Sequence, residues 1–133
     1  MSTYNVFISH SWNYGDFYTR LVDMLHSKPG FSFKNYSVPE ENPIFGAKTD
    51  RELEAAIEVK MRLSSVVLIM AGVYSTYSKW INIEIDMAKR LGKPIIAIKP
   101  FGAERISAVV RAASHKECAW NTNSITQAII DLA

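Results

Sequence analysis

The stretch Ser75-Thr76-Tyr77-Ser78-Lys79-Trp80-Ile81-Asn82-Ile83-Glu84-Ile85-Asp86 places a carboxyl group where hydrocarbon is expected. From Trp80 to Leu91 the residues carry helical spacing. At about 100° per residue, Trp80, Ile81, Ile83, Ile85, Met87, Ala88 and Leu91 cover an apolar arc of roughly 200°, wider than a surface helix needs. Asn82, Asp86, Lys89 and Arg90 fall in the remaining sector. Glu84 projects near the middle of the apolar arc, one turn beyond Trp80. A carboxylate turned into a core is unfavourable by several kcal/mol unless it is paired or neutralised. Two readings follow: a group kept for chemistry, or a structural Glu held by an Arg or a backbone N–H. Burial raises the pKa of such a group, and a nearby helix N-terminus lowers it.

The elements that must position Glu84 are legible as apolar runs. Asn5-Val6-Phe7-Ile8 reads as a buried strand ending in the polar loop Ser9-His10-Ser11. Tyr18, Leu21, Val22 and Leu25 recur at helical spacing, with Asp16 as cap and Lys28-Pro29-Gly30 as terminator. The run 31–36 alternates like a half-exposed strand near a sheet edge. A long connection, residues 37–48, precedes a capping box at Thr49 and Glu52. The next helix turns Leu53, Ala56, Ile57 and Leu63 inward. Val66-Val67-Leu68-Ile69-Met70-Ala71 is continuously apolar, as a central parallel strand would be. The loop 72–78 and the Trp80 helix follow, closed by Gly92 at its C′ position. The remaining elements are a strand opened by Pro94, a helix over 105–113, a short strand Cys118-Ala119-Trp120, and a final helix lined by Ile125, Ala128, Ile129 and Leu132.

Strand and helix thus alternate five times. This predicts an α/β chain forming one flavodoxin-like, three-layer domain over residues 1–133. Its five-stranded parallel sheet has the order 2-1-3-4-5, with helices on both faces. Ligands of such sheets bind beyond the carboxyl ends of the strands, where the first and third strands diverge. Ser9, His10, Ser11 and Trp12 stand at one of those ends, and Tyr74, Ser75 and Tyr77 in the loop at the other. Glu84 follows in the next helix, so one crevice collects all of them. His10 serves either a ligand or a plain turn. Trp12 either stacks on a base or packs on its own domain. Trp80 packs at the base of the pocket and fixes the helix that carries Glu84.

Composition narrows the function classes. The formal net charge is +2, and no Lys/Arg cluster stands out on any element, which argues against nucleic acid. A single cysteine, Cys118, rules out an intrachain disulfide and reads as a small buried thiol. No basic leader and no apolar run long enough for a bilayer are present, so a cytoplasmic home and no membrane partner are expected. The end of the third strand is Met70-Ala71, where a phospho-accepting receiver domain needs an Asp. No Walker loop and no G-x-G-x-x-G follows a strand. His10, His26 and His115 lack metal-ligand spacing, so no metal is expected. His26 falls at a helix C-terminus, and His115 in a surface loop.

Tyr4-Asn5-Val6-Phe7-Ile8-Ser9-His10-Ser11 resembles the first-strand box of TIR domains, and Trp80-Ile81-Asn82-Ile83-Glu84 resembles their W-x-x-x-E motif. The segment 37–48 takes the place of the TIR loop after the second strand, although Val38-Pro39-Glu40-Glu41-Asn42-Pro43-Ile44 lacks the basic, glycine-rich character of animal TIR loops. Trp80 to Ile85 followed by Gly92-Lys93-Pro94-Ile95-Ile96 is most similar to the prokaryotic TIR-like family that includes the small TIR protein of the Thoeris anti-phage system. The resemblance implies an NAD+ nucleosidase or ADP-ribosyl cyclase, with NAD as substrate rather than cofactor and Glu84 as the essential residue. It further implies a cyclic ADP-ribose-type signal to a separately encoded effector, and homo-oligomers on activation. A chain of 133 residues holding one small domain leaves no room for that effector, so the message is expected to diffuse. A non-catalytic TIR assembly module and a nucleoside deoxyribosyltransferase-like enzyme are the rival expectations.

Overall fold

The computed structural model describes residues 3–9, 17–36, 50–71, 79–99 and 107–133. The strands are β1 (Thr3–Ile8), β2 (Ser32–Asn35), β3 (Val66–Met70), β4 (Ile95–Ile98) and β5 (Lys116–Cys118). The helices are α1 (Phe17–Ser27), α2 (Asp50–Leu63), α3 (Lys79–Leu91), α4 (Ala108–Ala113) and α5 (Thr122–Leu132). Every strand pair is parallel and the sheet order is β2-β1-β3-β4-β5. The chain therefore has the expected flavodoxin-like α/β fold.

Because side chains alternate across a strand, each strand feeds two cores. One core joins Phe7, Val67, Ile69, Ala71, Ile95 and Ala97 to Ile57 and Met61 of α2, Ile81, Ile85 and Ala88 of α3, and Val110 of α4. The other joins Val6, Ile8, Leu68, Met70, Ile96 and Ile98 to Leu21 and Leu25 of α1 and Ile125, Ala128 and Ile129 of α5. β3 is buried along its whole length, which explains its lack of any polar alternation. β2 is an edge strand, half-buried to exposed, as its alternation required.

α3 ends in a Schellman motif. Gly92 has φ +71°, its N–H reaches Lys89 O at 3.2 Å, and Lys93 N–H reaches Ala88 O at 2.8 Å. This is the glycine-requiring stop read from the sequence. α5 begins at Asn121, whose Oδ1 accepts from Ser124 N–H at 2.8 Å. His26 lies in the last turn of α1 with its ring 4.8 Å from that of Phe33. Cys118 is a buried thiol whose Sγ donates to Ser124 O, and burial pushes its pKa up. His115 is exposed but not idle: its Nδ1 accepts from Ile95 N–H at 3.0 Å, pinning the start of β4.

Three local expectations are corrected. Leu63 is 53% exposed, whereas Met61 is fully buried. Met61 lies about 40° round the helix from Ile57, and Leu63 about 120°, so the inward stripe runs through Met61. The last strand is Lys116–Cys118, not Cys118 to Trp120, because Ile96, Ala97 and Ile98 pair with Lys116, Glu117 and Cys118. An edge strand tolerates those two charges, which hid it from an apolar scan. α4 starts at Ala108, later than the expected Arg105, and is capped by Ser107, whose hydroxyl accepts from Val110 N–H at 3.4 Å. The expected caps Asp16 and Thr49 lie outside the described residues.

The stripe on α2 can be tested by urea unfolding. Met61→Ala is expected to destabilise by about 2–5 kcal/mol. Leu63→Ala should stay within about 0.5 kcal/mol of the parent. Equal losses for the two would mean that the stripe is drawn wrongly.

Candidate active site

Glu84 is the sixth residue of α3, in the second turn from the end that follows the carboxyl edge of the sheet. Ile81 precedes it by three positions and Ala88 follows by four, and both are fully buried against the sheet. Residues at those spacings share one helix face, so Glu84 is carried inward with them. It is 3% exposed.

Ser9 arrives at the same place from the sheet. It follows β1 directly, and its N–H still donates to Leu68 O at 2.8 Å, so its backbone continues the ladder. It stands two residues after Phe7. Alternation therefore turns its side chain to the α2 and α3 side of the sheet rather than to the side of α1 and α5. Ser9 is also 3% exposed.

Among the described residues five polar or charged side chains are buried: Ser9, Ser64, Glu84, Ser107 and Thr126. Three of them have ordinary helix partners. Ser64 donates to Lys60 O, Thr126 donates to Thr122 O, and Ser107 caps α4. Ser9 Oγ and Glu84 Oε2 have no hydrogen-bond partner. Buried polar atoms are satisfied as a rule, so two unsatisfied ones from different elements at one edge mark a place built for something else. The reading of Glu84 as a structural residue held by an Arg or a backbone N–H finds no such partner among the described residues.

Burial pushes the Glu84 carboxyl up to about 7, and the Ser9 hydroxyl pulls it back in the opposite direction. Ser9 thus lies close enough to act on the carboxyl, yet the two do not meet in a formed hydrogen bond. Burial, the raising influence read from the sequence, is the larger of the two causes. On α3 Asp86, Lys89 and Arg90 are exposed, and Arg90 pairs with Glu58 of α2.

The other residues expected at the site divide simply. Trp80 lies in α3, one turn before Glu84, with its side chain outside the described part. His10, Ser11, Trp12, Tyr74, Ser75 and Tyr77 lie outside the described residues. Ser107 escaped the sequence reading, although a Ser ahead of an apolar helical run is an N-cap signal. Its N–H donates to Ala71 O at 2.8 Å, which ties the start of α4 to the carboxyl end of β3. Among the described residues no group of three His, Cys, Asp or Glu side chains is placed to hold a metal ion, and no helix is long and apolar enough to cross a membrane. An open groove of about 570 Å³ lies between α1 and the start of α5, lined by Arg20, Asp23, Met24, Trp120, Asn121 and Thr122. It belongs to the other side of the sheet, away from Glu84.

The raised pKa has a consequence for stability. Native Glu84 binds its proton more tightly than an unfolded chain whose Glu titrates near 4.5. Between those two values the folded state holds more protons, so stability falls as pH rises from about 4.5 through 7. Relative to Glu84→Gln, which cannot ionise, the parent should lose about 3 kcal/mol between pH 4 and pH 8. Urea unfolding across that range reads the difference, and parallel stability curves for the two proteins would contradict the burial of an ionising carboxyl.

Comparison with known proteins places this geometry. The model of the family described as Thoeris protein ThsB, TIR-like domain, matches residues 7–105 and so includes both Ser9 and Glu84. No significant match was found among curated proteins. Among solved structures, a conserved protein from Enterococcus faecalis V583 has a TM-score of 0.70 at 9% identity, over 98% of this chain and 99% of that one. A 2-deoxyribosyltransferase from the psychrotolerant bacterium Bacillus psychrosaccharolyticus has a TM-score of 0.63 at 14% identity, over 92% and 90%. The Clostridium botulinum CMP N-glycosidase BcmB has a TM-score of 0.56 at 19% identity, over 97% and 99%. At these identities the likeness is one of fold. The family model covers most of the chain, from the end of β1 past β4, and by that match the chain belongs to the Thoeris ThsB TIR-like domain family.

Proposed function

We propose that the chain is an NAD-processing enzyme that cleaves the nicotinamide–ribose bond, with Glu84 as its catalytic residue. The observation that carries this reading is the buried Glu84 carboxyl without a hydrogen-bond partner at Oε2, beside Ser9 at the carboxyl edge of the sheet. The family membership supports it.

The chemistry suits one carboxyl. Cleavage of a C–N glycosidic bond passes through an oxocarbenium-like state on the ribose. The bonding pair goes to the ring nitrogen, and nicotinamide departs as a neutral molecule, so no strong general acid is required. An ionised Glu84 accepts hydrogen bonds from ribose hydroxyls and stabilises the positive charge that develops on the sugar, more strongly for being out of water. The cation is then captured by water or by a nucleophile within the same nucleotide, giving an ADP-ribose-type product. Ser9, His10, Ser11, Trp12, Tyr74, Ser75, Tyr77 and Trp80 form the substrate-binding rim in this reading. The product acts as a diffusible signal to a separate effector in anti-phage defence.

A second reading is favoured by the fold neighbours. One is named a CMP N-glycosidase and another a 2-deoxyribosyltransferase, names that denote chemistry at a sugar–base bond. Under that reading the same carboxyl works on a nucleoside or a nucleoside monophosphate. Incubation with NAD, with CMP and with deoxynucleosides separates the two, by release of nicotinamide or of a free base.

The parent is expected to release nicotinamide, and a folded Glu84→Gln protein to lose at least 100-fold in rate, roughly the scale on which a catalytic electrostatic group acts. Because the ionised form is the working one, kcat/KM should rise with pH through about 7. Protein-free filtrate from the parent reaction should activate a separately encoded effector, and filtrate from Glu84→Gln should not. Base release from CMP or deoxynucleosides without nicotinamide release would move the assignment to the second reading. Activation by intact Glu84→Gln protein would replace catalysis with assembly.

A further inference from the structure

Ser9 and Glu84 hold the two unpartnered buried polar atoms among the described residues, and they come from separate elements. The Ser9 backbone is fixed by its bond to Leu68 O, and β-alternation aims its side chain at α3. A hydroxyl offers one proton and two acceptor lone pairs, and can turn about its C–O bond without any movement of the chain. A carboxyl offers a donor when neutral and only acceptors when ionised. The two groups are therefore matched in either charge state, provided the hydroxyl rotates.

We propose that Ser9 is a positioning residue for Glu84, donating its hydroxyl proton to Oε2 when the carboxyl is ionised and accepting from the carboxyl when it is neutral. This rests on the reading of Glu84 as the catalytic carboxyl. With its proton committed to Glu84, Ser9 keeps its lone pairs for a hydroxyl of the bound sugar. The device holds one carboxyl orientation through a change of charge, in a place where no other described group is available to do so.

The surroundings leave this role to Ser9. The elements packed on α3 from the sheet, α2 and α4 present apolar side chains, including Phe7, Ile57, Met61, Ile69 and Val110. On α3 itself Asp86, Lys89 and Arg90 are exposed. Glu58 of α2 is engaged with Arg90 and Arg62, and Arg111 of α4 with Glu117. Lys99, after β4, is half-buried. The Ser9 hydroxyl opposes burial at Glu84, lowering the carboxyl pKa that burial raises.

The test is the titration of Glu84 in the ligand-free full chain, read from its side-chain carboxyl carbon by NMR. Ser9→Ala removes a hydrogen bond to the charged form, so the midpoint should move to higher pH by about one unit. Ser9→Cys keeps the shape and donates weakly, and should move it by less. The rising limb of the kcat/KM profile should shift by the same amounts, whereas a merely structural role would lower the rate at every pH and leave the midpoint in place. An unmoved midpoint in both variants overturns the proposal. A shifted midpoint in a protein that cleaves no NAD would uphold the Ser9–Glu84 coupling and overturn the NAD reading instead.

Discussion

A carboxyl group withdrawn from water, with no hydrogen-bond partner for its Oε2 among the described residues, is the constraint on which this structure turns. Burial moves Glu84 towards neutrality, beside the apolar core that joins the sheet to α2 and α3. Ser64, Ser107 and Thr126, three of the five buried polar side chains among the described residues, are satisfied by bonds in or beside helices. The unsatisfied pair is confined to the edge where parallel α/β sheets take their ligands.

The scaffold explains why the pair meets. β1 and β3 are hydrogen-bonded neighbours, with Phe7 opposite Val67 and Ile8 opposite Leu68. The residue after β1 and the helix after β3 must then share one edge. Alternation sends Ser9 to the α3 side, and the three- and four-residue spacing from Ile81 and Ala88 sends Glu84 towards the sheet. The Schellman stop at Gly92 and the Glu58–Arg90 bridge to α2 hold the far half of α3 in register. Arg90 is exposed, so that bridge locates the helix more than it stabilises it.

Much of this was legible in the sequence. The sheet order followed from the alternation of apolar strands with amphipathic helices, and Glu84 stood out because a charge in an apolar arc violates binary patterning. Ser9 was legible only as a loop residue at a strand end, and its orientation needed the register that continues β1 past Ile8. Met61 lies one four-residue step beyond Ile57 and so continues the inward stripe, whereas Leu63, equally apolar, stands about 120° from Ile57 near the helix end. β5 was placed too late because an edge strand next to α5 keeps Lys116 and Glu117 in solvent, so its apolar signal reduces to Cys118. The absence of a partner at Glu84 Oε2 is a property of packing, and no pattern of residues reveals it.

The account makes Glu84, in company with Ser9, the point at which a nucleotide meets the protein. The most direct measurement is a crystal structure with an NAD analogue whose nicotinamide–ribose bond cannot be cleaved. The account predicts the nicotinamide ribose at the carboxyl edge between β1 and β3, its hydroxyls within about 2.6–3.2 Å of the Glu84 carboxylate. A nucleotide bound at the opposite edge of the sheet, or in the groove between α1 and α5, with Glu84 still buried and untouched, would contradict it.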